Sequence, residues 1–417
     1  MKAAFVVLAL LLAGGLAADA RPQDGASERL AAACRDLEGN DPRRIFASVQ
    51  AIAQLGGAAL PAIEARARDA RGRVRDYLEL AAEEIRSAPH LPGYPAVKRV
   101  SMKSSDRNVV ELLADLRAKT GTALSLENLM DEDKLPELPF EVKDATMLEA
   151  FDAICHAGNV AVSMQNGQFA LYAGTYAEVP RFFYGHYFLR LGDFELQKTV
   201  TFRKPATQTF SLDMEMIWDP AAAPLRFRPV RVVEALDDRG KNLVLPPVED
   251  EEPGPSGKIF LAPPSLAATK ITLLRGFATI VLPQARLTAS FPEPKETQDA
   301  TAGEFQVRIL SVDLDQHTLR LKLASKKTAP EALSRMDFLA QVALKDWEST
   351  AASVDKISSD ADGLDLAVAY LPLRHKDGLA RPTDGVPQPK ILSLDLSIVT
   401  AEREKRIPFE FRDLKLR

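Results

Sequence analysis

The chain has 417 residues, 46% of them hydrophobic and 27% charged, with a net charge of −5. At roughly 100–200 residues per domain that length implies several domains, and the apolar share supplies material for several cores. Lys+Arg nearly balances Asp+Glu, which excludes a general nucleic-acid binder carrying a basic surplus or stripe.

The first predicted element is a secretory signal peptide over residues 1–20. Met1-Lys2 supplies the positive end, "AAFVVLALLLAGGLA" the apolar run, and Ala18-Asp19-Ala20 the small-residue cleavage site, so that Arg21 opens the mature chain. Export to the periplasm or beyond is therefore expected. No later stretch reaches the roughly 20 apolar residues of a transmembrane helix. Export places Cys34 and Cys155 in an oxidising compartment, where they are a candidate disulfide; the alternative is two small side chains buried separately.

Residues 21–90 read as a helical head. Leu30, Ala33, Cys34 and Leu37 recur at helical spacing, and Asp41-Pro42 supplies an N-cap and first-turn proline for the next helix. "IFASVQAIAQLG" ends at Gly56-Gly57, and "ALPAIEARARDA" and "GRVRDYLELAAEEIRS" follow. Four helices in antiparallel pairs are expected. The stretch "AIAQLGGAALPAIEARARDARGRVRDYLELAAEEI" resembles a HEAT-type repeat through its "LG" between helices, the "LPAI" helix start and the Asp followed by "VR". Repeats of this kind bury their apolar faces on neighbours, and about three are needed for independent stability. The resemblance thus implies a head that packs on another domain or a partner. Arg66, Arg68, Arg71, Arg73 and Arg75 form a candidate anion or acidic-partner surface, with Arg68 and Arg73 at its centre. The alternative is a solvated face neutralised by Asp69 and Asp76.

Residues 91–175 alternate helix and strand signals. "AVKRVSM" reads as a strand, and Val109, Leu112, Leu113 and Leu116 as a helix stopped at Thr120-Gly121. "TALSL" reads as a second strand, "LPFEVK" as a third, "ATMLEAFDAICHAGN" as a second helix, and "VAVSMQNGQFALYA" as a hairpin turning at Asn166-Gly167. The order is β-α-β-β-α-β-β, with a polar insertion at 127–137. This order, with "VVELLADLRAKTG", "FEVKDATMLEAFDAI" and "VSMQNGQFALYA", resembles the short N-terminal (STN) domain shared by secretins and TonB-dependent receptors. The resemblance implies a protein–protein contact module of the cell envelope, in which a small open-edged sheet can accept a partner strand. Neither a secretin ring nor a plugged barrel is recognisable downstream.

From Tyr176 the helical period ends. Phe210, Leu212, Met214, Met216 and Trp218 alternate; "KITLLRGFATIVLP" and "ARLTASF" continue in that style; "FQVRILSVDLDQHTLRLKLAS" reads as a hairpin with Leu319, Leu321 and Leu323 on one face. Later strand signals follow in "LAQVALKD", "LDLAVAY", "KILSLDLSIVT" and "IPFEFRDLKL". Two Ig-like β-sandwiches are expected, 176–292 and 303–417, with "PEPKETQDATAG" at 292–303 as linker. The fold class is therefore multidomain: helical head, small α+β module, two β-sandwiches. The layout is similar to that of exported bacterial proteins that join such modules to paired sandwiches.

The search for chemistry excludes several sites. There is no Gly-x-Ser-x-Gly elbow. His90, His156, His186, His317 and His375 stand singly, without the helical spacing of zinc ligands. "PGPSGK" at 253–258 lacks the phosphate-loop pattern, and "DADG" at 360–363 runs into apolar strand sequence where a calcium loop needs a terminal Glu. Asp313 and Asp315 sit beside a hairpin turn, which favours solvent-facing carboxylates. No cofactor, metal or catalytic set is expected. The remaining candidate is "RFFYGHYFLRLGDF", whose Phe182, Tyr184 and Tyr187 would stack on sugar rings or meet a protein if exposed, and would be core if buried. The leading expectation is a non-catalytic exported adaptor or scaffold that binds envelope proteins through the STN-like module. The alternative is a polysaccharide-binding protein using the aromatic cluster.

Overall fold

The computed structural model describes residues 22–39, 41–87, 95–122, 137–165, 168–173, 175–201, 204–245, 254–345, 347–375 and 390–416. The expected signal peptide, most of the strand "TALSL", the hairpin turn Asn166-Gly167 and His90 lie outside these residues. Strand outweighs helix, and the N-terminal region is helical. The chain divides into two compact units, Met1–Pro92 and Gly93–Arg417.

The first unit holds four helices: α1 (Pro22–Leu37), α2 (Pro42–Ala53), α3 (Leu60–Asp69) and α4 (Gly72–Ser87). Pro42 opens α2, where a missing backbone N–H costs nothing, and Gly56 takes a positive φ of 74° at the turn towards α3. Ile45, Val49 and Ile52 place one buried stripe on α2, and Tyr77, Leu78, Ala81 and Ile85 place one on α4. The stripes meet, with Phe46 edge-on to Tyr77 at 5.1 Å between ring centroids.

The second unit opens with β1 (Arg99–Arg107), α5 (Val109–Thr120), β2 (Leu138–Thr146), α6 (Met147–Ala157), β3 (Val160–Gln165) and β4 (Gln168–Ala173). Both helices begin at capping boxes. Asn108 and Glu111 exchange hydrogen bonds at the start of α5, as do Thr146 and Glu149 at the start of α6. Gly121, at φ 69°, ends α5 in the left-handed conformation. β1 pairs with β2 and β3 with β4, both antiparallel. Leu112, Leu116, Phe140, Phe151, Val162 and Phe169 build a core that Phe188 and Ile217 of the following sheet complete. The module is thus sealed by residues beyond 175.

The following strands are β5 (Arg181–Tyr184), β6 (Tyr187–Thr201), β7 (Lys204–Trp218), β8 (Arg226–Phe227), β9 (Arg231–Asp237), β10 (Ser256–Leu261) and β11 (Lys270–Pro292). Next come β12 (Asp299–Ala302), β13 (Phe305–Asp313), β14 (Thr318–Ser325), a short helix α7 (Pro330–Leu333), β15 (Phe338–Leu344), β16 (Trp347–Asp360), β17 (Gly363–His375) and β18 (Ile391–Lys415). They form three sheets: β10-β7-β6-β5; β15-β18-β11-β8, with β9 also on β11; and β12-β13-β14-β17-β16.

One feature departs from the expected linker at 292–303. β11 and β18 pair antiparallel along their whole lengths, from Lys270↔Lys415 to Pro292↔Ser393, with register shifts at Pro283–Arg286. The C-terminal strand therefore runs back through the segment assigned to the preceding sandwich. Residues 299–302 of the expected linker are themselves strand β12. The physical reason is reach: β18 has 25 residues, about 80 Å of strand, enough to serve two cores. Ala289 and Phe291 of β11 accordingly join Leu321, Leu366 and Leu396 in the C-terminal core.

Candidate functional site

A buried polar cluster lies where α6 meets the segment leading into β5. Asp152 stands on the buried face of α6, between Leu148, Phe151 and Cys155. Tyr176 donates its hydroxyl to Asp152 Oδ2 at 2.9 Å, and Arg181 Nε lies 3.0 Å from Oδ1. The guanidinium covers the Tyr176 ring at 4.2 Å and donates to the carbonyls of Val179 (2.8 Å) and Ala177 (2.5 Å). Asn159 Oδ1 accepts from the Tyr176 amide at 2.9 Å, and His156 pairs with Glu178 at 2.8 Å on the rim. Burial pushes the Asp152 carboxyl above the usual aspartate range, against the opposing pull of Arg181. Burial likewise raises the Cys155 thiol and the Tyr176 phenol. Desolvation leaves neither a ready nucleophile, and Arg181 is turned to the Asp152 carboxyl and to two backbone carbonyls. The arrangement fixes α6 to the entry of β5, as a joint.

A second buried pair repeats this theme. His186, in the β5–β6 turn, places Nδ1 3.3 Å from Asp219 Oδ2 and Nε2 2.9 Å from the Pro95 carbonyl. The Asp219 amide donates back to the His186 carbonyl at 2.9 Å. His186 thus ties the irregular segment that precedes β1 to the residue that follows β7.

The sequence-predicted residues fall elsewhere. Phe182, Tyr184 and Tyr187 are 7%, 4% and 1% exposed, so the expected aromatic binding surface is core. Phe182 faces Phe411 of β18 at 6.2 Å, and Tyr187 donates to the Ala222 carbonyl at 2.9 Å. The reason is their strand position: "RFFY" forms the edge strand β5, whose apolar side chains cover β18 and the module core, and Tyr187 opens the neighbouring strand β6. Cys34 and Cys155 are free, each buried within its own unit, so the candidate disulfide is not formed. Arg68 is exposed on α3; Arg73 instead folds onto the end of α1, donating to the Glu38 and Gly39 carbonyls. Arg73 thus caps the C-terminal end of α1 while its charge stays at the surface.

The excluded motifs have structural partners. Asp360 of "DADG" is held by Lys322 at 2.7 Å and accepts from the Asp362 amide in the β16–β17 turn. Asp313 accepts from the Gln316 amide at 2.9 Å. Among the described residues no group of three or more His, Cys, Asp or Glu is placed to hold a metal ion, and no single helix is long and apolar enough to cross a membrane. A small cavity of about 230 Å³ lies beside β7 and β10, floored by Met214 and Met216 and walled by Phe227 and Ala278.

Sequence reasoning passed over Asp152, Tyr176 and Arg181, and set His186 aside as a lone histidine. The one available signal was Asp152 itself, a carboxylate at helical spacing within an otherwise apolar face. Its partners lie 24 and 29 residues on, across two strands, where no spacing rule reaches. Against protein families, curated proteins and solved structures alike, the chain has no match.

Proposed function

We propose that the protein is an exported, non-catalytic adaptor or scaffold of the cell envelope, and that its STN-like module receives a protein partner. The observation that carries this reading is the pairing of β3 with β4 alone among the described residues. The inner face of this hairpin, Val160, Val162, Phe169 and Leu171, is buried, and among the described residues no third strand pairs with it, an arrangement suited to accepting a partner strand. The buried joint at Asp152 and the capped helices hold that hairpin in a fixed setting, which lowers the ordering cost of binding. In this reading residues 21–90 form a HEAT-like head, and the later sheets form two Ig-like sandwiches that share the β11–β18 ribbon. Burial of Phe182, Tyr184 and Tyr187 withdraws the observation on which polysaccharide binding stood.

The test is site-specific photo-crosslinking of the full chain in its native envelope. A crosslinker replaces Ser163 on β3 or, as control, Ser353 on β16. A discrete protein adduct from position 163, absent from position 353, supports the adaptor reading. Adducts identical from both positions, or none from position 163, overturn it.

A further inference from the structure

We infer that β18 is a C-terminal clasp: the two five-stranded sheets fold as one unit, and only once the last strand of the chain is in place. Among the described residues β15 pairs with no strand but β18, from Phe338↔Ile398 to Leu344↔Ile391. Residues 283–292 of β11 likewise pair only with β18, because β8 and β9 meet β11 between Ile271 and Val281. β18 therefore lies between two stretches that have no other ladder. Without it, the backbone groups of Val342, Leu344, Ala289 and Phe291 would enter a core unpaired. That half of the sheet has no existence before residues 391–401 arrive.

The layer packed against it is finished much earlier in sequence. β12, β13, β14, β16 and β17 pair with one another and lie within residues 299–375. Leu319, Leu321, Leu364 and Leu366 of that layer share one core with Phe291, Leu394 and Leu396. A sheet with an apolar face must bury that face on another layer, and here the other layer waits for β18. The far end of β18 is pinned as firmly. Phe409 stands opposite Gly276 in register, and a Cβ at 276 would come within 2.6 Å of the Phe409 ring. The ring fits there because glycine leaves the space. Phe411 meets Phe182 of β5 at 6.2 Å between ring centroids. Leu394 and Phe409 are about 50 Å apart along one continuous strand. A slip of one residue at either end would turn buried side chains to the wrong face, so both cores depend on the setting of a single backbone. Domains ordinarily fold in turn from the N-terminus during synthesis. These two sheets instead stay open until the C-terminus is delivered.

The test is native-state hydrogen exchange of the full chain, read at the amides of β14 and β9, two strands that do not themselves pair with β18. Leu396→Ala at one end and Phe409→Ala at the other are each expected to speed exchange on both strands, by a common factor of about thirty or more. An effect of Leu396→Ala that leaves β9 unchanged, or of Phe409→Ala that leaves β14 unchanged, overturns the clasp. The wild type supplies a second reading that no poorly folded variant can confuse. On refolding from urea with pulsed exchange labelling, β13 and β14 are expected to gain protection in the same step as β15 and β18. Protection of β13 and β14 in an earlier step overturns the assignment.

Discussion

The two halves of the β11–β18 ribbon share two strands and yet are built on opposite plans. In the half formed by residues 285–292 and 391–401 burial alternates: Ala289, Phe291, Leu394, Leu396 and Ile398 face the core, while Thr288, Ser290 and Leu392 face solvent. In the half formed by residues 270–282 and 403–415, Leu274 through Ala278 and Ile407 through Phe411 are buried without a break, so that both faces are covered along that stretch. One face meets β5 through Phe182 and Phe411. The other carries charge inwards. Buried Arg275 pairs with Glu234, and buried Glu410, opposite Arg275 in register, accepts two bonds from Arg412. Covering a second face of a sheet encloses residues that a one-sided sheet would leave wet, and charges caught there need partners. The same strand thus derives its hold from apolar area at one end and from a matched ion network at the other.

Removing one member of the network is the strongest way to break the comparison. Glu410→Ala removes the buried carboxylate that Arg412 bonds and that stands opposite buried Arg275 in register, and a loss of about 3–5 kcal/mol is expected, read from the urea midpoint. Replacement by Gln should cost less, since a hydrogen-bond acceptor survives. A loss below about 1 kcal/mol for the alanine variant would show that the network is hydrated and the two halves alike. In the other half, Leu396→Ala removes an aliphatic side chain with no exposed surface, in the core shared with Phe291 and Leu321. A loss of about 2–5 kcal/mol is expected, set by how far that core collapses onto the gap. That loss should be insensitive to pH and salt, which separates it in kind from the first.

The same contrast explains what the sequence disclosed. Strands with one buried face were readable: Leu319, Leu321 and Leu323, spaced by two, are all fully buried. The helix stripes of α1, α5 and α6 were readable for the same reason, as were the stops at Gly56 and Gly121. The long ribbon was not. "ATKITLLRGFATIVLP" and "ARLTASF" look like two strands because Pro283 interrupts them, yet the structure absorbs Pro283 in a register shift and continues. The pairing of β11 with β18 spans more than a hundred residues of sequence, and period-two alternation names no partner. The aromatic run at 182–188 was legible as strand, but its burial depends on β18 arriving from the far end of the chain.

Asp237 sharpens the comparison at the point where β9 enters the two-sided half, opposite Ile271. Burial pushes its carboxyl up, but hydrogen bonds from Ser265, Lys241 and Arg239 outweigh that effect and hold it at about 2. A carboxylate held below its unfolded value of about 3.9 stabilises the fold above that pH, and the contribution is lost as pH falls through about 2. Asp237→Asn should therefore cost about 1–3 kcal/mol at pH 7. The gap from the wild type should close as both are titrated from pH 4 towards pH 2. A gap that stays constant over that range would mean that the cost is packing and not charge.

The smallest expected effect lies on the outer face of the one-sided half. There Thr288 and Ser397 stand opposite each other and share a hydroxyl hydrogen bond of 2.9 Å, both reachable by water. Cross-strand polar pairs of this kind contribute about 0.2–1 kcal/mol, because either hydroxyl finds a water when its partner is removed. Thr288→Ala also gives up some strand preference at a β-branched position, which works in the same direction and by a similar amount. The total should stay near or below about 1 kcal/mol, several times less than for Glu410→Ala on the same two strands. The two polar pairs share a backbone, a register and a sheet. What separates them is whether water can replace the missing partner, so the ratio of the two losses, measured under one set of conditions, isolates the cost of enclosing the second face.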